Sequence, residues 1–159
     1  MCNNHLIHYA IHLRQRGNVE QSRRYLFGLL TSPATAGQSY LHIAWSYDKE
    51  GNEDRALAYY RLALAQRLDD EDRFEAEFGL ACTTRCLGRL VEAEALFHRL
   101  MELYPQRSEI IPFYALCLTA LNRPYHAIQL LLGLIIENPP TDAITHYQSS
   151  LRTYYCEIY

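Results

Sequence analysis

The stretch GNEDRALAYY, residues 51–60, decides the fold, because near-copies of it stand elsewhere in the chain: GNVEQSRRYL from residue 17, GRLVEAEALF from 88 and NRPYHAIQLL from 122. Gly17, Gly51, Gly88 and Asn122 head the four phrases, so by their numbering the steps are 34, 37 and 34 residues. A catalytic site is assembled once, whereas a phrase repeated at this spacing marks a small helical unit that is stacked. Upstream of the quoted turn, Leu41, Ala44, Trp45 and Tyr47 fall at helical spacing, and downstream Ala56, Leu57, Tyr60 and Leu64 do the same. Each unit is therefore predicted as helix, turn, helix. The head residue ends the first helix in a left-handed conformation, which glycine adopts without penalty and asparagine tolerates next best.

Two further columns line up across the phrases. Ala10, Ala44, Ala81 and Ala115 occupy one position, and Ser22, Ala56, Ala93 and Ala127 another. Small residues at both places let two antiparallel helices cross closely, while Tyr60 or Phe97 fills the space toward the next unit. The three extra residues before the third unit are expected in an acidic loop, LDDEDR at 68–73, and Ala36 in a loop between the first two units.

The bulk numbers agree with one compact domain. The chain has 159 residues, 49% of them hydrophobic, which suffices for a continuous core. Fifteen Lys and Arg against 18 Asp and Glu give a net charge of −3, with no general pull toward nucleic acid or anionic lipid. MCNNHLIHYA lacks a basic stretch leading into an apolar one, and no segment approaches 18 uninterrupted apolar residues. The five cysteines, Cys2, Cys82, Cys86, Cys117 and Cys156, contain no C-x-x-C pair. A cytoplasmic, reduced, non-membrane protein is expected.

The repeated pattern resembles the tetratricopeptide repeat family. That family places an aromatic, then Leu-Gly/Ala, then Tyr on the first helix, and Ala, Phe/Tyr and Pro on the second. The second unit carries Tyr40, Ile43, Ala44, Tyr47, Ala56, Tyr60 and Ala63 at the family's intervals. The third carries Leu80, Ala81, Ala93, Phe97 and Pro105, and the fourth Tyr114, Ala115, Ala127, Leu131 and Pro139. The first, with Tyr9, Ala10, Leu13, Ser22 and Leu26, lacks the closing Pro. Thr84 and Glu77 replace the usual aromatics, so the third unit should pack differently in detail. The resemblance implies an all-α, right-handed superhelix in a single domain, with units at about 3–36, 37–72, 74–107 and 108–140. It is similar to the small stand-alone bacterial repeat proteins. A ninth helix is expected over 141–159, started by the N-cap Thr141, with Ile144, Tyr147, Leu151, Tyr155 and Ile158 capping the last unit. Tyr154 and Tyr159 widen that face enough to meet a second copy of the chain, a homodimer.

Three clusters invite chemical readings. His5, His8 and His12 fall on one helical face where imidazoles could hold zinc, the basis of an alternative as a metal-binding protein or metal-dependent enzyme. A metallohydrolase helix would also carry a Glu after the first His, and no fourth ligand is evident, so a solvated edge is preferred and no cofactor is expected. Cys82 and Cys86 stand one turn apart, but no His is fixed beside either thiol, and Cys serves here as a small apolar filler. Arg14, Arg16, Arg23 and Arg24 form a basic cluster that Glu20 interrupts and no later unit repeats, which reads as a charged helix end rather than an RNA site.

In the family, the first helices line a concave groove that holds a partner's peptide or helix. Carried over residue by residue, the groove positions are Ile7, Ile11 and Arg14, then Leu41, Trp45 and Asp48, then Phe78, Cys82 and Arg85, then Pro112 and Leu116. The chaperone-binding variety grips a C-terminal carboxylate with Lys, Asn, Asn, Lys and Arg, where this chain has Ile7, Ile11, His42, Glu75 and Gly79. The expectation is a non-enzymatic adaptor for another protein, with a largely apolar groove that takes an amphipathic helix or apolar peptide. Its own tail or a second chain would be the other occupants, making it a self-associating structural protein.

Overall fold

A computed structural model describes residues 2–159, and side chains from residue 5 onward. The described residues are helical throughout, without a strand, in the order α1 (Cys2–Gln15), α2 (Val19–Gly28), α3 (Ala36–Lys49), α4 (Glu53–Leu64), α5 (Asp70–Cys86), α6 (Leu90–Leu103), α7 (Ile110–Ala120), α8 (Pro124–Glu137), α9 (Asp142–His146) and α10 (Gln148–Ile158). They fall into two compact parts, Met1–Arg89 and Leu90–Tyr159. No helix among the described residues is long and apolar enough to cross a membrane.

All four head residues sit where the repeat places them, with φ of 87° at Gly17, 72° at Gly51, 74° at Gly88 and 59° at Asn122. Each closes the preceding helix with the same pair of bonds. In the second repeat the Gly51 N–H donates to the Asp48 carbonyl at 3.0 Å and the Asn52 N–H to the Tyr47 carbonyl at 2.9 Å. This six-to-one and five-to-two pairing satisfies the last carbonyls of the helix while reversing the chain. Asn122 shows that the turn needs the conformation, not glycine itself.

In the first part, α1 packs on α2 and α3 on α4, and α4 in turn packs on α5. Ala10, Ala44, Ala56 and Ala81 have no exposed surface. In the first repeat the Ser22 hydroxyl donates to the Ala10 carbonyl at 2.6 Å, a direct measure of how near the two backbones lie. Tyr60 reaches from α4 toward α5, where a Cβ added to Gly79 would stand 2.5 Å from its ring. Arg23 of α2 lies over the Tyr47 ring of α3, 4.5 Å from its centre, and pairs with Glu50 at 2.7 Å. In the second part, α7 packs on both α6 and α8, with Ala93, Ala115 and Ala127 buried. Phe97 stacks on Tyr114 at 5.9 Å.

Three expectations need correction. LDDEDR is not a loop: α5 starts at Asp70, because Asp69 caps it by accepting the Asp72 N–H at 2.8 Å and three acids favour the positive end of the helix. Ala36 is the buried first residue of α3. The tail is two helices rather than one, broken at Tyr147. Thr141 does cap the first, accepting from the Ile144 N–H at 3.3 Å. The second takes its direction from α8, to which Gln148 donates at the Ile136 carbonyl, 2.6 Å, and Tyr155 at the Gln129 carbonyl, 3.3 Å. Leu151 and Tyr155 are therefore half-covered, whereas Tyr147 and Ile158 remain 62% and 69% exposed.

The Tyr60–Gly79 contact yields a stability test. Gly79→Ala should destabilise by about 1–3 kcal/mol through overpacking. Gly28→Ala, where an added Cβ meets nothing within 4 Å, should change stability by less than about 1 kcal/mol, in the favourable direction expected of a helical residue. Urea denaturation of the two variants checks the difference.

Candidate functional site

In the first part, α3 lies against both α1 and α5, so residues from these three helices share one side of the helix pairs. The nine positions carried over from the repeat pattern in this part divide by burial. Ile7 and Leu41 are 2% and 0% exposed and stand beneath the surface rather than on it. Ile11, Arg14, Trp45, Asp48, Phe78, Cys82 and Arg85 are half-exposed. The accessible surface is thus a mixture of aromatic, aliphatic and charged groups, more polar than the residue types alone indicate. Pro112 and Leu116 are exposed on α7, in the other compact part.

Trp45 is the centre of this side. Its ring meets His42 edge-on at 4.9 Å, and the Arg14 guanidinium lies 5.4 Å from its centre. Arg14 also donates to the His42 carbonyl at 3.4 Å, tying the end of α1 to α3. Arg14, Gln15, Trp45, Asp48 and Lys49 line an open depression of about 550 Å³. Gln15 and Lys49 are not among the positions the repeat pattern supplies, whereas His42 stands at one of the clamp positions of the chaperone-binding variety. Gln15 and Lys49 each follow directly on a groove position, Arg14 or Asp48, which is the available signal.

The polar groups around Trp45 are tied to the fold. Tyr60 donates to Asp48 at 3.0 Å and Thr83 to its other oxygen at 3.4 Å, so this carboxylate links α3, α4 and α5. Burial raises the Asp48 pKa, and the two hydrogen bonds only partly offset that. Burial holds the Cys82 thiol at about 12 against the opposing charge of Arg85, so the thiol stays protonated and is a poor nucleophile. His42 is driven down to about 3 by burial, then by the charges of Arg14 and His8, and its Nδ1 has no partner. It is neutral at ordinary pH.

Among the described residues no three His, Cys, Asp or Glu side chains converge to hold a metal ion, and His5, His8 and His12 are exposed on α1. The arginine cluster is divided: Arg14 lies on Trp45, Arg23 pairs with Glu50, and Arg24 pairs with Glu20 at 3.0 Å.

Comparison with known proteins follows the same lines. The family model described as tetratrico peptide repeat matches residues 37–158, more than half of the chain, beginning where the second repeat begins. A curated relative, Protein CTR9 homolog of Arabidopsis thaliana, is 25% identical over 127 residues, 79% of this chain; the chain spans only 12% of that protein's length. Among solved structures, Pseudomonas aeruginosa PilF is similar with a TM-score of 0.70 and 20% identity, covering 97% of this chain and 69% of PilF. YrrB, described as a TPR protein with an unusual peptide-binding site, is similar with a TM-score of 0.57 and 16% identity, covering 91% and 90% of the two chains. At these identities the two structures speak for the fold.

The buried imidazole gives this side a pH signature. An unfolded His42 takes up a proton near its ordinary pKa of 6.5, while the folded one resists until about 3. The unfolded state binds more protons across that window, so the contribution is complete above about 6.5 and lost as the pH falls. Relative to His42→Phe, the wild type should lose a few kcal/mol between these limits, on the order set by the size of the shift. Chemical denaturation of both proteins from pH 7 to pH 4 measures it.

Proposed function

Because the chain belongs to the tetratricopeptide repeat family, whose members bind other proteins or peptides, we propose that it is a non-enzymatic adaptor that receives a partner's peptide or amphipathic helix on the α1, α3 and α5 side. The observation that carries this reading is Trp45: a large ring, half-exposed, held by Arg14 and His42, and set beside an open depression. Indole surface of this kind is common in binding hot spots. Ile11, Phe78, Cys82 and Arg85 extend the proposed contact, and Asp48 and Arg14 bound it.

Several observations support an adaptor over the alternatives. The Cys82 thiol is held protonated, which disfavours nucleophilic catalysis. Arg23, Arg24, Arg123 and Arg152 each pair with a glutamate, which lowers the attraction for a polyanion. A cytoplasmic setting and a single repeat domain running through the chain belong to the same reading; the family match over 37–158 supports the latter. A second copy docking on α10 is the competing occupant of the apolar surface, favoured by Tyr154 and Ile158, which are 60% and 69% exposed.

Two experiments test the reading. Helical peptides selected on the wild-type protein from a displayed library should bind Trp45→Ala about 30-fold more weakly, the equivalent of about 2 kcal/mol, with little change in melting temperature. Arg85→Ala should weaken them less. Equal affinity for wild type and Trp45→Ala would reject the site. For self-association, Tyr154→Arg should convert any dimer seen by sedimentation to monomer; a dimer that persists would move the contact elsewhere.

A further inference from the structure

The depression beside Trp45 has the chemistry of a seat for an anion. Arg14 and Lys49, both on its rim, bring two cations to one opening. Some arginines elsewhere pair with glutamates: Arg23 with Glu50, Arg24 with Glu20, Arg123 with Glu94 and Arg152 with Glu137. Arg14 is not paired in this way. It is half-buried, its polar contact is a single carbonyl 3.4 Å away, and no carboxylate among the described residues pairs with it. Burial lowers its pKa without a carboxylate to restore it, the mark of a cation that has lost water and gained no counter-ion.

The one acid on the rim is otherwise engaged. Asp48 accepts hydrogen bonds on both oxygens, from Tyr60 and Thr83, and it is not among the groups that act on Arg14. Lys49 likewise has no ion pair among the described residues. Both cations stand in the last turns of α1 and α3, where the negative ends of the helices stabilise them in the absence of an acid. The Arg14 guanidinium lies 5.4 Å from the centre of the Trp45 ring, and one carbonyl uses one of its five donors. A planar fork placed in this way is suited to a carboxylate's two oxygens.

We propose that this depression receives a side-chain carboxylate, Glu or Asp, of the docked peptide, gripped by Arg14 and Lys49 against the Trp45 ring. The proposal rests on the partner lying on the α1, α3 and α5 side, and adds that this partner is acidic at the position beside Trp45. A chain-terminal carboxylate is a different occupant, and the places that grip one in the chaperone-binding variety hold Ile7, Ile11, His42, Glu75 and Gly79 here.

The test uses the full chain and a displayed library of designed helices with one randomised face, the selected sequences being remade as peptides with amidated C-termini. Asp or Glu should be enriched at one fixed position. Replacing that acid by Gln should weaken binding to the wild type about tenfold, the loss expected of a charge-assisted pair. On Arg14→Gln the same peptide change should cost almost nothing, and Lys49→Gln should weaken the acidic peptide by a smaller factor. A peptide with Lys in place of the acid should recover binding on the double variant Arg14→Glu, Lys49→Glu. Should Arg14→Gln fail to fold, the peptide substitution on the unaltered protein and the exposed Lys49→Gln still decide.

Peptides that depend on Trp45 yet show no acidic preference, or that lose equally from Glu→Gln with and without Arg14, would overturn the anion seat and leave the docking side intact. Dependence on a free C-terminus instead of the side chain would also overturn it. Binding indifferent to Trp45, or no binder at all, would remove the docking side and the seat together.

Discussion

The closeness of the paired helices governs the structure. Where Ser22 bonds the Ala10 carbonyl at 2.6 Å there is no space for a larger side chain, and Ala44 with Ala56 reproduces the crossing in the second repeat without the hydroxyl. Close crossings leave gaps further along, which large residues fill. Tyr60 does so toward α5, and its fit against Gly79 shows how little clearance remains. The left-handed turns at Gly17, Gly51, Gly88 and Asn122 are the other half of the constraint, since a helix that must reverse against its neighbour has to end abruptly.

The surface around Trp45 is a product of that packing. Repeats stacked by their second helices leave first helices side by side, and α3 accordingly touches α1 and α5. The Tyr60 ring that fills the interior presents its hydroxyl to Asp48, which is also reached by Thr83. A packing residue therefore anchors a carboxylate at the edge of the proposed docking side. The same burial that secures Leu41 and Ile7 removes them from any partner's reach, leaving Trp45, Arg14 and Lys49 as the exposed features at this end.

What could be read from the sequence follows the range of the interactions involved. The turns and the eight small positions were legible because each depends on neighbours at fixed spacing along the chain. The start of α5 departs from the loop expected there because four acids in a row, Asp69 to Asp72, suggest a loop, although three acids behind a capping Asp69 favour a helix start. The break at Tyr147 was invisible because it reflects where α10 meets α8, a contact between residues far apart in sequence. For the site, the repeat frame located Trp45 and Arg14 but could not rank depth: Leu41 and Trp45 are successive positions of one pattern, one enclosed and the other open. Gln15 and Lys49 lie outside the frame, and only the fold brings them to the same opening.

Trp45 is the one tryptophan in the chain, so its indole N–H gives a single cross-peak in a nitrogen-correlated NMR spectrum. Titration with a peptide selected on the intact protein measures the central claim at the residue concerned. The account predicts that this cross-peak shifts and saturates with the peptide's own binding curve, together with the backbone signals of α1, α3 and α5. An indole signal that stays in place at saturation, while signals from α8 or α10 move, would contradict it.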